Sequence, residues 1–153
     1  MDDCVLPHDA ELPVEPTDRR HAAIIEVLCR IPADAYQSIV EQIDSFQWFV
    51  PHNLSYGKVE PVTATESTEL IPGKPVSWNR LIYLSPRLED ESVEVTTAVV
   101  AHELAHIALN HELWPSTKKY DLQERQAFDC ICKWGFEREA EMHRASLKRR
   151  GFH

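Results

Sequence analysis

Residues 93–109 constrain this chain more than any other stretch. Val93, Val95, Ala98, Val99, Val100, Ala101, Leu104, Ala105, Ile107, Ala108 and Leu109 cover almost every side of the helix the segment would form. A helix that is apolar all round is buried. Yet His102, Glu103 and His106 stand in its middle, and imidazoles or carboxylates taken out of water need partners. Either hydrogen bonds within a core satisfy them, or they converge on something that the core was built to hold.

The spacing H-E-x-x-H favours the second reading. On a helix, residues four apart lie on nearly the same face, one turn apart. His102 and His106 can therefore aim two imidazoles at one point, which suits two of the three protein ligands of a catalytic zinc. Glu103 is offset by a fraction of a turn. It can reach a water at the metal without being a ligand, as a general base must.

These residues, with Ala98-Val99-Val100-Ala101 before them and Ile107-Ala108-Leu109 after, resemble the active-site helix of the zincin metallopeptidases. The resemblance covers about twenty residues and implies an HExxH-type zinc peptidase. It implies an α+β, zincin-like fold: N-terminal helices, a small and mostly antiparallel sheet, a central buried active-site helix and C-terminal helices. It also implies that the strand shortly before that helix, Trp78–Leu84, lies at the sheet edge and pairs with an extended substrate.

A catalytic zinc needs a third protein ligand. Glu124 is the candidate the sequence favours. Ala127, Phe128, Ile131, Cys132 and Trp134 give its segment an apolar surface to press on the active-site helix, and the small Ala127 permits close approach. Glu124-x-x-Ala127 is similar to the gluzincin pattern, including that of ImmA/IrrE-like peptidases. Asp121 and Glu124 also have the spacing of a capping box, so Glu124 could instead cap its own helix. Glu137 is the competing ligand, with the same E-x-x-A form but highly polar flanks. His111 is the third candidate. Metzincins place a glycine and a further histidine where this chain has Leu109 and Glu112, so His111 reads as a helix-end residue able to touch substrate. A zinc-bound imidazole usually donates its other N–H, and Asp129 or Asp121 could accept it. Tyr120, His111 and His143 are candidate oxyanion donors.

The 153 residues suit one domain, read as 18–153, after an acidic, proline-rich segment 1–17 without fixed structure. A net charge of −9 argues against a nucleic-acid partner. No run is long enough to cross a membrane. Met1-Asp2-Asp3-Cys4 shows no basic or apolar leader, so a cytoplasmic location is expected. Cys4, Cys29, Cys130 and Cys132 have no metal-finger spacing and read as free thiols of a reducing compartment.

Apolar spacing predicts helices over 18–30 and 33–48, the second carrying Tyr36, Ile39, Val40, Ile43 and Phe46. Strands are predicted over 54–62, 63–70 and 78–84, with Pro61 confining its strand to an edge or a break. A turn is predicted at 71–75. Asp90 or Ser92 should cap the central helix and Asn110 should end it. The last helical region, 121–150, should break at Gly135. The function this implies is hydrolysis of a protein or peptide substrate by a zinc-activated water with Glu103 as base. The alternative is a catalytically silent, peptidase-like zinc module that binds or regulates a protein partner. The oligomeric state is not legible.

Overall fold

The computed structural model describes residues 19–40, 42–48, 57–61, 80–111 and 116–149. The expectations for 1–17, 63–70 and 71–75 fall outside these residues. Five α-helices dominate: α1 (Arg19–Arg30), α2 (Ala33–Val40), α3 (Val93–Ala108), α4 (Thr117–Lys133) and α5 (Glu137–Arg149). Three short strands accompany them, β1 (Ile43–Trp48), β2 (Gly57–Pro61) and β3 (Arg80–Leu84). No helix among the described residues is long and apolar enough to cross a membrane.

The expected α+β class with a mostly antiparallel sheet is overturned. The described chain is chiefly helical, and its three strands are mixed, in the order β1-β3-β2. β1 runs parallel to β3 and β2 antiparallel to it. The parallel pair arises where a helix was expected. The helical spacing over 33–48 stops at Val40, where the Gln42 N–H donates to the Ile39 carbonyl at 2.9 Å. Ile43–Trp48 then pairs with β3. Phe46 and Trp48 suit a strand as well as a helix, and tertiary pairing decides between them.

The same topology corrects the edge strand. β3 is the middle strand, hydrogen-bonded on both sides, so it has no free edge to offer an extended substrate. Pro61 ends β2, which is an edge strand of the described sheet.

α3 is the hub. It packs against α1, α2, α4, α5, β2 and β3. Ala98, Val100, Ala101, Leu104 and Ala105 are fully buried on it, which its apolar circumference demands. Each such leucine removed from water is worth about 2 kcal/mol. Two hydroxyls on α3 are buried without cost in unpaired groups: Thr96 and Thr97 donate to the carbonyls of Ser92 and Val93 at 3.2 and 2.8 Å. Ser92 caps the helix, its Oγ accepting the Val95 N–H at 3.2 Å. Before it, Pro86–Asp90 forms a 3-10 turn that buries Leu88.

Gly135, at φ 95°, separates α4 from α5. The Phe136 N–H returns to the Ile131 carbonyl and the Gly135 N–H to that of Cys132, the paired bonds of a Schellman turn. Arg30, at the end of α1, clasps this turn. It donates to the Gly135 carbonyl at 2.7 Å and to Glu139 at 2.6 Å, and its guanidinium lies 4.0 Å from the Phe136 ring centre. Cys130 and Cys132 are free thiols. Cys29 is disulfide-bonded, which corrects the reading of every cysteine as a free thiol.

Candidate metal centre

α3 and α4 pack side by side and bring three groups together. His102 and His106, one turn apart on α3, turn their Nε2 atoms to within 3.1 Å of each other. Glu124, two turns into α4, offers one carboxylate oxygen to each: Oε2 is 3.0 Å from His102 Nε2 and Oε1 is 3.1 Å from His106 Nε2. Ala127, fully buried one turn further along α4, lets the two helices come this close.

The capping-box reading of Glu124 does not hold. α4 begins at Thr117 with Ser116 as its cap, the Oγ accepting from the Lys119 N–H at 3.4 Å. Glu124 is therefore an interior helix residue whose side chain is directed at α3. Glu137 opens α5, is exposed, and does not join the group. Asp121 and Asp129 are exposed, and among the described residues neither bonds to His102 or His106. His143 is half-buried on α5.

The donor set fits a divalent ion. Ligand atoms of tetrahedral zinc stand roughly 3.3 Å apart for bonds of about 2.0–2.1 Å, close to the 3.1 Å between the two Nε2 atoms; with one oxygen taken from Glu124, the three ligand atoms lie within 4.8 Å of one another. Two imidazole nitrogens and a carboxylate suit zinc and its transition-metal neighbours better than calcium or magnesium, which take oxygen ligands. His102, His106 and Glu124 are thus a group that could hold a metal ion. They are three protein ligands, the number that leaves a coordination position open.

Electrostatics distinguish the two glutamates. Burial alone would raise the Glu124 pKa, but hydrogen bonds with His102 and His106 hold it well below the usual carboxylate range. Glu103 is 8% exposed, and among the described residues no hydrogen bond or ion pair reaches its carboxylate. Burial raises its pKa to about 7, with the His106 charge opposing and the Glu124 charge assisting. Tyr120 lies one turn before Glu124. Its phenol pKa is raised, first by desolvation and then by the charges of Glu124 and Glu103.

Sequence reasoning missed one contact. Asn110, at φ 52°, ends α3 in the left-handed region. The His111 N–H then returns to the His106 carbonyl and the Asn110 N–H to that of Ile107, both at 3.0 Å. This is a second Schellman turn, and it lays His111 on His106 with their Nδ1 atoms 2.7 Å apart. His111 Nε2 is 3.1 Å from Gln126 Oε1 on α4. The His111 pKa is lowered, chiefly by desolvation and then by the His106 charge. The signal was present: a Schellman turn sets the second residue past the cap against the residue five before it, and here both are histidine.

No protein-family model, curated protein or solved structure matches the chain.

Proposed function

We propose that the chain is a zinc-dependent peptidase of the HExxH type, acting on a protein or peptide substrate. His102, His106 and Glu124 would hold the zinc. When bound there, zinc lowers the pKa of a water and polarises a carbonyl. The remaining work belongs to the chain. Glu103 accepts the proton of the attacking water and passes it to the leaving amine. Its burial places a proton affinity near neutrality beside the metal group, where a general base at neutral pH is most effective. Tyr120, which feels the charges of both glutamates, is the candidate donor to the developing oxyanion.

The observation that carries this reading is the convergence of His102, His106 and Glu124 on one point, with Glu103, 8% exposed, one residue from His102. The test is Glu103→Gln, assayed for zinc content and for cleavage of a mixed peptide library. The variant should keep its zinc while turnover falls about 100-fold or more. Undiminished cleavage would remove Glu103 from the chemistry. A wild-type protein that holds zinc and cleaves nothing would favour a silent module that binds a protein partner.

A further inference from the structure

We infer that His111, anchored by Gln126, is a positioning residue that fixes the tautomer and ring angle of His106 for metal binding. The inference rests on the reading of His102, His106 and Glu124 as a metal group.

His106 presents Nε2 to His102 and Glu124. If that nitrogen gives its lone pair to a metal, the ring proton must sit on Nδ1. Nδ1 is 2.7 Å from His111 Nδ1, so His106 donates and His111 accepts. A neutral imidazole has one donor and one acceptor nitrogen, so His111 carries its own proton on Nε2. That nitrogen faces Gln126 Oε1 at 3.1 Å, an atom that can only accept. Both ends of the chain therefore call for the same arrangement. The opposite tautomer of His111 would set two N–H groups against each other.

The backbone holds this relay in register. Asn110 in its left-handed conformation brings His111 back over the last turn of α3, and the His111 N–H is tied to the carbonyl of His106 itself. Gln126 lies two residues past Glu124 on α4. The relay thus links the end of one ligand-bearing helix to the other. Ligand histidines usually donate their second N–H to a carboxylate or carbonyl; here a second imidazole takes that place.

The experiment is a competitive zinc titration of wild type, His111→Ala, His111→Asn and Gln126→Ala, with circular dichroism of each metal-free protein. Wild type should take one zinc. His111→Ala should bind about 10- to 100-fold more weakly. His111→Asn, whose side-chain oxygen can stand near the place of Nδ1, should recover most of the affinity. Gln126→Ala, a change at an exposed helix position, should weaken binding in the same direction. Cobalt-substituted His111→Ala should keep the wild-type visible spectrum, since a positioning residue is not a ligand. Long-range nitrogen–proton spectra of the zinc protein should place protons on His106 Nδ1 and His111 Nε2.

Wild-type affinity in both His111→Ala and Gln126→Ala would overturn the inference and leave the metal reading standing. A changed cobalt spectrum would overturn it by making His111 a ligand. If His111→Ala does not fold, unchanged affinity in Gln126→Ala overturns it. A wild-type protein that takes no metal would overturn both readings together.

Discussion

Glu124 and Glu137 share the same E-x-x-A form, yet only one faces the histidines. Glu124 lies 3.0 and 3.1 Å from the two imidazoles across the α3–α4 contact, whereas Glu137 is exposed at the start of α5. Glu124→Ala should therefore abolish stoichiometric zinc, and Glu137→Ala should leave it unchanged, as read by metal analysis of the purified proteins. Loss in Glu137→Ala instead would move the third ligand to α5. The meeting of His102 and His106 was legible in the sequence because one helix fixes their relative directions. Glu124 was legible as a candidate, since its segment has an apolar face. It was favoured over Glu137 for the apolar face of its segment and the polar flanks of Glu137; both α4 and α5 pack on α3, and what separates the two glutamates is the exposed place of Glu137 at the start of α5. His111 read as a helix-end residue because its partner is reached through a turn and not along a helix face.

At the scale of elements, the site depends on how near α4 lies to α3. Ala127 has no exposed surface, so a larger side chain there must push the helices apart. Ala127→Leu should cost about 1–3 kcal/mol of stability, measured by urea unfolding, and should weaken zinc binding because Glu124 moves with its helix. Stability lost without any loss of zinc would show that α4 tilts about Glu124 and keeps it in place. The end of α3 makes a second demand. Asn110 sits at φ 52°, a region costing a residue with a Cβ roughly 1–2 kcal/mol and asparagine less. Asn110→Gly should be neutral or slightly stabilising, and Asn110→Val should destabilise by about 1–2 kcal/mol, both read from thermal melts. The break at Gly135 and the end of α3 at Asn110 could be read from residue chemistry alone, and Ser92 was one of two caps it offered. The strand at Ile43–Trp48 could not. Its apolar residues fit a helical period, and pairing with a strand more than thirty residues later overrides it.

Across the whole molecule, Arg30 joins the first described helix to the last. It reaches Gly135, Phe136 and Glu139 from the end of α1. Arg30→Ala should cost about 1–2 kcal/mol, charge-assisted hydrogen bonds discounted for partial exposure. The contact also carries a pH signature. Burial raises the Glu139 pKa, but the hydrogen bond and charge of Arg30 outweigh it, and the net shift is downward. A depressed carboxylate stabilises the fold fully above its unfolded pKa of about 4.3 and loses that stabilisation as pH falls through the folded value. The stability gap between wild type and Glu139→Gln should therefore be widest near neutral pH and shrink below about pH 4, measured by denaturant unfolding across that range. The metal group is organised the other way. His106 and Glu124 lie on consecutive helices and only eighteen residues apart. Bringing them together closes a short loop, at an entropic cost about 1.6 kcal/mol below that of joining Arg30 to Glu139. In kinetic terms the metal group belongs to a low-contact-order hairpin that can form before the termini of the domain meet. Zinc should then speed refolding in stopped-flow experiments. If it slows unfolding alone, the hairpin closes only after the rate-limiting barrier has been crossed.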